Sequence, residues 1–169
     1  MKRFLSSYFN FFLAIAIGFG LTGCVTNRLP VAETSPWEVV ELSTQANPLD
    51  LTFVDADHGF LVGTNRLILE TNDAGKTWNE RRLDLPEEEN FRLISIDFQG
   101  EEGWIAGQPG LVMHSNDSGQ NWTRLLLGPQ LPGDPYLISS SGPNSAELAT
   151  TAGAVYLTKD GGVNWEAKV

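Results

Sequence analysis

Thr71-Asn72-Asp73-Ala74-Gly75-Lys76-Thr77-Trp78 is the stretch that decides the fold, because the chain repeats its pattern twice more. The second copy is Ser115-Asn116-Asp117-Ser118-Gly119-Gln120-Asn121-Trp122, and the third is Thr158-Lys159-Asp160-Gly161-Gly162-Val163-Asn164-Trp165. All three share the frame Ser/Thr-x-Asp-x-Gly-x-x-Trp. Asp117 follows Asp73 by 44 residues, and Asp160 follows Asp117 by 43. A fixed period of this size predicts one supersecondary unit that is stacked repeatedly.

Each phrase is predicted to be a hairpin turn between two strands. Its Asp accepts hydrogen bonds from backbone N–H groups a residue or two ahead, and its Gly supplies the positive φ that a tight turn needs. Its Trp starts the next strand and buries a large apolar face. We therefore assign structural roles to nine residues of the three phrases. These are Asp73, Gly75, Trp78, Asp117, Gly119, Trp122, Asp160, Gly162 and Trp165.

Short apolar runs precede each phrase, residues 79–83 and 123–127 are predicted to be the strands that follow the first two phrases, and two further runs fit upstream in every period. Four short strands in about 43 residues are typical of a β-propeller blade. The predicted fold is therefore all-β, a propeller of four-stranded antiparallel blades. Several strands are apolar at consecutive positions, which indicates that neighbouring blades cover both faces. The blades are expected at about residues 49–85, 91–128 and 135–169.

The N-terminal segment is of a different kind. Lys2 and Arg3 precede an apolar run that ends in Leu21-Thr22-Gly23-Cys24, which matches a bacterial lipobox. We interpret residues 1–23 as a lipoprotein signal peptide, Cys24 as the lipidated residue and 24–36 as a tether. A short uncleaved transmembrane anchor is the alternative. Cys24 is the single cysteine, so no disulfide within the chain is predicted.

Residues 37–42 resemble the strand that follows each phrase, but no phrase precedes them. We interpret them as the outer closing strand of a blade whose other three strands would come from the C-terminal side. Closed propellers typically have four to eight blades. Three blades and one unmatched strand therefore predict an open arc, either a fragment or a fold that a partner completes.

Charge and composition exclude several kinds of site. The formal net charge is −10, which does not favour nucleic acid or anionic lipid. His58 and His114 are lone histidines, so neither a metal site nor a nucleophile relay is indicated. Asp55-Ala56-Asp57-His58-Gly59 resembles the start of a calcium loop but lacks the closing Glu. The repeated aspartates are assigned to architecture, and no catalytic residue, metal or cofactor is predicted.

The repeated phrase is the Asp-box, also called the BNR repeat, of sialidases, sortilin-type receptors and several non-enzymatic propellers. Here it follows a lipobox, Trp37-Glu38-Val39-Val40 and Asp57-His58-Gly59-Phe60-Leu61-Val62-Gly63. This combination resembles the photosystem II assembly and stability factor family of cyanobacteria and chloroplasts, from Cys24 to the end of the chain. Members of that family are seven-bladed propellers. The resemblance therefore implies about half of one, an N-terminal fragment.

The resemblance implies a non-catalytic assembly factor that binds the newly made D1 precursor and helps it join D2. It also implies a lipid anchor on the lumenal side of the thylakoid membrane, with the periplasmic face of the inner membrane kept open as the other location. No cofactor, small-molecule substrate or nucleic acid is implied. Family members carry an arginine patch implicated in docking, although ordinary edge-strand charge is the competing explanation. The candidates in this sequence are Arg66, Arg81, Arg82, Arg92 and Arg124.

Two other functions stay open at this point. One is an exported glycan-acting protein of the sialidase class, which would need a tyrosine nucleophile with a Glu partner and an arginine triad. Tyr136 and Tyr156 lie in apolar runs that are predicted to be strands, which weakens this hypothesis. The other is a generic Asp-box lipoprotein scaffold without a photosynthetic role.

Overall fold

A computed structural model of the chain describes residues 38–127 and 131–168. The chain divides into two units, Met1–Glu38 and Val39–Val169, and the second unit holds every strand described below. The predicted signal peptide, Cys24, the tether and Trp37 lie outside the described residues. Within the described ranges, no helix is long and apolar enough to cross a membrane.

Three four-stranded antiparallel sheets make up the second unit. The first blade comprises β1 (Pro48–Phe53), β2 (Gly59–Gly63), β3 (Ile68–Thr71) and β4 (Asn79–Glu80). The second comprises β5 (Arg92–Gln99), β6 (Glu102–Gln108), β7 (Leu111–Ser115) and β8 (Thr123–Leu125). The third comprises β9 (Pro135–Gly142), β10 (Ser145–Thr150), β11 (Val155–Thr158) and β12 (Glu166–Ala167). In each sheet the spatial order follows the chain, which confirms the prediction of propeller-type blades.

Burial differs among the second strands of the three blades. All five residues of β2 are buried, as are the first six residues of β6. In β10, by contrast, half-buried and buried residues alternate, so that one face of this strand is less covered. Continuous apolar runs thus occur where a strand is packed on both faces.

Two hydrophobic cores lie between neighbouring blades. The first contains Phe60 and Ile68 of the first blade and Leu93 and Ile105 of the second. The second contains Trp104, Ala106 and Val112 of the second blade with Ile138, Ala146 and Leu148 of the third. Because each core draws on two sheets, the blades stabilise one another through shared apolar burial.

The first strands of neighbouring blades are also joined by hydrogen bonds. The N–H of Ile96 donates to Asp50 Oδ2 at 2.9 Å, and the N–H of Ile138 donates to Ser95 Oγ at 3.3 Å. Asp50 lies opposite Val62, and Ser95 lies opposite Ala106, so both acceptors occupy the same place in their blades. The side chain of one blade therefore satisfies a backbone N–H of the next.

The outer strands are shorter than the sequence suggested. The runs 79–83 and 123–127 were expected to be strands, but β4 has two residues and β8 has three. Each begins one residue after the tryptophan, which the sequence had placed at the strand start. Residues 38–42 form no strand. A strand exists only as a hydrogen-bonded ladder with a neighbour, so the closing role of residues 37–42 stays a prediction.

Candidate functional site

The Asp-box carboxylate is held by its own loop. Asp73 Oδ1 accepts hydrogen bonds from the Thr77 N–H at 2.8 Å and the Thr71 hydroxyl at 2.9 Å. The Thr77 hydroxyl donates to Asp73 Oδ2 at 2.6 Å, and the Gly75 N–H donates to Thr71 Oγ1 at 2.9 Å. The carboxylate thus reaches four residues ahead, whereas the sequence reasoning expected one or two.

The second and third boxes repeat this geometry. Asn121 donates to Asp117 through its backbone N–H at 2.9 Å and through its side-chain amide at 2.7 Å. Asn164 makes the same two bonds to Asp160, at 2.9 and 2.7 Å. Because both oxygens of each carboxylate are engaged inside the loop, their arrangement suits a structural role.

These hydrogen bonds favour the ionised form of each box aspartate. The Thr77 hydroxyl and then the Thr77 backbone N–H are the main causes that lower the pKa of Asp73 to about 2. The pKa values of Asp117 and Asp160 are also lowered, chiefly by the backbone N–H of Asn121 and of Asn164. A carboxylate with a lowered pKa does not hold a proton at neutral pH, so it is poorly suited to general acid catalysis.

Three of the five candidate arginines line one groove on the first blade. Arg66, Arg81 and Arg82 surround a space of about 250 Å³, together with Glu80 and Glu87. The remaining two candidates do not line it. The Arg124 guanidinium lies 5.0 Å from the centroid of the Phe91 ring and 3.6 Å from Glu89 Oε2, and Arg92 is an exposed residue at the start of β5.

Two of the groove arginines are already engaged. Arg81 donates through Nη1 to Glu70 Oε2 at 2.6 Å and through Nη2 to the Gln120 carbonyl of the second Asp-box at 3.2 Å. Arg66 donates through Nη1 to the Pro86 carbonyl at 3.0 Å. Arg82 is exposed, and within the described residues its guanidinium has no hydrogen-bond or ion-pair partner. Arg82 is therefore the groove arginine that is available to a ligand.

Sequence reasoning missed the partners of the two histidines. His58 Nε2 lies 2.9 Å from Glu70 Oε1, and His114 Nε2 lies 2.6 Å from Glu102 Oε2. Both pairs are separated by 12 residues in the chain, a regularity that was readable from the sequence. Among the described residues, no group of His, Cys, Asp and Glu is arranged to hold a metal ion.

Glu70 connects one of these pairs to the arginine groove. Burial raises the pKa of its carboxyl, but hydrogen bonds from Arg81 and His58 outweigh burial, so the net pKa is lowered. Glu70 therefore stays ionised and fixes Arg81 in the position from which it reaches Gln120 of the next blade.

Comparison with known protein families identifies the family of this chain. The model of the photosynthesis system II assembly factor YCF48 family matches residues 29–169. The chain belongs to the YCF48 family. Photosystem II assembly lipoprotein Ycf48 from Prochlorococcus marinus (strain MIT 9313) is 68% identical over 169 residues, which are 100% of this chain and 50% of that relative. The Ycf48 of Parasynechococcus marenigrum (strain WH8102) is 67% identical over 169 residues, which are 51% of its length. The chain thus spans about half the length of the curated relatives it matches.

Solved structures of YCF48 proteins share the fold. The structure described as YCF48 bound to D1 peptide is 47% identical to this chain, with a TM-score of 0.77. The match covers 82% of this chain and 44% of that one. YCF48 from Cyanidioschyzon merolae is 45% identical to this chain, with a TM-score of 0.71. The match covers 77% of this chain and 39% of that one. An ancestral GH74 enzyme is 19% identical with a TM-score of 0.54, which shows a common fold alone.

Proposed function

We propose that this chain is a non-catalytic assembly factor for photosystem II that binds the newly made D1 subunit and aids reaction-centre assembly and repair. One observation carries the proposal most directly: a YCF48 protein that matches 82% of this chain, at 47% identity, has been solved with a D1 peptide bound. The names of the relatives describe assembly rather than catalysis. Membership of this family does not favour the sialidase-like or the generic scaffold alternative.

The groove of Arg66, Arg81 and Arg82 is the docking site that we propose for D1. A guanidinium binds a carboxylate through two parallel hydrogen bonds and also stacks on aromatic rings, which suits the recognition of an extended peptide. Arg82 supplies the available charge, whereas Arg66 and Arg81 are held by hydrogen bonds to the Pro86 carbonyl and to Glu70. Arg92 and Arg124 do not line this groove, so we place them second as docking residues.

A binding titration tests both parts of this proposal. The D1 peptide of the solved complex is labelled with a fluorophore and titrated with the wild-type chain, Arg82→Glu, Arg92→Glu and Lys159→Glu. Wild type is expected to bind, and Arg82→Glu to bind about tenfold more weakly or worse. Lys159 is an exposed lysine on the third blade, and its variant makes the same change in net charge. Equal weakening of peptide binding by all three variants would show that net charge alone causes the effect, and it would contradict the groove as the docking site.

Attachment to the membrane is the second part of the proposed function. The relatives are named lipoproteins, and the lipobox of this chain ends at Cys24. We expect lipidation of Cys24 to place the protein on the lumenal side of the thylakoid membrane. A Cys24→Ala variant expressed in a cyanobacterium should leave the thylakoid fraction, while wild type is released from it by detergent and not by high salt. A Cys24→Ala variant that stays with the membrane would contradict the lipid anchor.

A further inference from the structure

Glu70 of β3 lies between a histidine and one of the groove arginines. Its Oε1 is 2.9 Å from His58 Nε2, and its Oε2 accepts a hydrogen bond from Arg81 Nη1 at 2.6 Å. The Glu70 side chain is 14% exposed and that of His58 is 17% exposed, so water and salt screen their contact only in part. Glu70 therefore offers one negative charge to two partners, an arginine that is always charged and a histidine, the residue type whose charge changes nearest to neutral pH.

The charges of the groove balance one another while His58 is neutral. The charged residues that line the groove are three arginines and two glutamates, namely Arg66, Arg81, Arg82, Glu80 and Glu87. Glu70, which pairs with Arg81, adds a third carboxylate. Three positive charges are thus set against three negative ones, and a proton on His58 gives this group of residues a net positive charge. A net positive groove attracts carboxylate groups more strongly than a neutral one.

Charged groups reach His58 from its own turn and from the two strands beyond it. On the turn, Asp55 Oδ1 accepts the backbone N–H of His58 at 2.8 Å and that of Asp57 at 2.9 Å, and these bonds lower the pKa of Asp55. Asp57 itself has an exposed side chain. From β3 and from the segment after β4 come Glu70 and Arg81. Of these four groups only Arg81 lines the groove, so it is the group through which a proton on His58 acts on a ligand.

Arg81 connects the histidine to two adjoining grooves. Together with Arg82 and Leu83 it lines the groove on the first blade and also a second space, of about 180 Å³, that residues 120–122 of the second Asp-box complete. Its Nη2 donates to the Gln120 carbonyl at 3.2 Å, which is the uncharged group that the second blade contributes. Because both ends of the guanidinium are held, a change of charge at His58 alters the electrostatic field in the grooves without requiring a movement of the chain.

We propose that His58 is a proton-controlled charge of the arginine groove, so that a proton on its ring strengthens the binding of a carboxylate-bearing peptide there. Glu70 is the positioning residue of this arrangement, because it holds Arg81 next to His58. The inference rests on the docking groove proposed above, and it adds that the affinity of this groove depends on pH. In a partly hydrated groove, one added charge near a ligand carboxylate is expected to change the dissociation constant about threefold.

His114 supplies a matched control in the same chain, which has two histidines. It pairs with Glu102 at 2.6 Å, and its side chain is 12% exposed, close to the value for His58. Among the described residues Glu102 has no arginine partner, and neither Glu102 nor His114 lines the groove. A proton on His114 therefore changes the charge of a similar His–Glu pair without changing the charge of a groove arginine's partner.

A pH series of peptide affinities tests the proposal. The labelled D1 peptide is titrated with wild type, His58→Gln and His114→Gln at pH 8 and at pH 5.5. Glutamine keeps a hydrogen-bond donor for the glutamate but carries no charge, so His58→Gln measures the contribution of every other titrating group, including those of the peptide. Between the two pH values, wild type and His114→Gln should gain about threefold more affinity than His58→Gln. An equal gain in wild type and His58→Gln, or a gain lost equally in both variants, would overturn the proposal.

NMR of the two histidines in the free chain decides the proposal separately from peptide binding, whose absence would contradict the docking function. The Hε1 resonances of His58 and His114 are assigned with the two glutamine variants and followed from pH 5 to pH 8. Arg81→Gln removes the positive charge that Glu70 balances, so the titration midpoint of His58 should move to higher pH by about 0.5, while that of His114 stays in place. An unchanged midpoint of His58 in Arg81→Gln would show that the ring does not sense the groove, and the proposal would then be wrong.

Discussion

His58 in the first blade and His114 in the second occupy opposite ends of the same cross-strand pair. His58 precedes β2 and contacts Glu70 on β3, whereas Glu102 begins β6 and contacts His114 on β7. Glu70 lies opposite Phe60, and His114 lies opposite Trp104, so the two pairs are equivalent with the residue types exchanged. What both blades keep is a hydrogen-bonded His–Glu contact, which is the pattern of a structural pair.

Exchanging the positions of Glu102 and His114 should therefore preserve stability. Glu102 and His114 side chains are each 12% exposed, so the loss of either partner leaves a largely buried polar group unsatisfied. We expect Glu102→Ala or His114→Ala to lower the free energy of unfolding by about 1–3 kcal/mol. The double variant Glu102→His with His114→Glu copies the first blade and should lose less than the two single variants together. Urea unfolding measures all four proteins, and a strictly additive loss would show that the contact is not a coupled pair.

Low pH should destabilise the folded chain because it protonates the Asp-box carboxylates. The pKa of Asp73 in the folded chain is about 2, below its ordinary value of 3.8, so folding favours the ionised carboxylate. The stabilisation is therefore complete above about pH 4 and is lost as the pH falls towards 2. The lowered pKa values of Asp117 and Asp160 act in the same direction.

A series of urea midpoints between pH 5 and pH 2 checks this expectation. Asp73→Asn should be less stable than wild type at pH 5, and the gap should narrow as the pH falls, because the variant has no carboxylate to protonate. Asp84→Asn is the control, since Asp84 is an exposed aspartate outside the three boxes. If the gap between wild type and Asp73→Asn were constant with pH, the box carboxylate would not be the group whose protonation is linked to unfolding.

The Asp-box phrase was sufficient to predict the blades, because each box closes its hairpin with local bonds such as Thr77 to Asp73. Contacts between blades were not predictable in the same way. The bond from Arg81 to the Gln120 carbonyl joins residues 39 apart, and nothing in either local sequence specifies that distance. The outer strands were overestimated for a related reason, since the length of β4 depends on how far it stays paired with β3 rather than on its own local sequence. Which arginines are engaged also depends on packing, so the five candidates could not be ranked before the structure.

Substitution of Arg81 should lower the stability of the chain more than substitution of Arg82. Arg81 joins Glu70 to the carbonyl of Gln120 on the next blade, and its side chain is 37% exposed. We expect Arg81→Ala to lower the free energy of unfolding by about 1 kcal/mol, because a partly exposed ion pair contributes modestly and half-buried Glu70 loses one of its two partners. Arg82→Ala should leave stability within about 0.5 kcal/mol of wild type, as is usual for an exposed residue. Thermal unfolding of the two variants would contradict this assignment if it reversed their order.

Glu147 should control whether copies of the chain associate with one another. Glu147 lies opposite Leu157 on β11, in the place that Phe60 and Trp104 take in the other two blades. Glu147→Phe therefore puts an aromatic ring at that place, and it breaks the pair with Lys168. We expect this variant to dock its third blade on the first blade of a second copy, at the exposed face formed by Leu51, Phe53, Gly75 and Trp78. Such a head-to-tail contact forms open chains unless the rotation closes. Sedimentation velocity should then show oligomers that grow with concentration, and Gly75→Ala added to Glu147→Phe should abolish them. Lys159→Phe adds the same apolar ring at an exposed position of the third blade. Equal oligomerisation of that variant would indicate non-specific hydrophobic association rather than recognition of this face of the first blade.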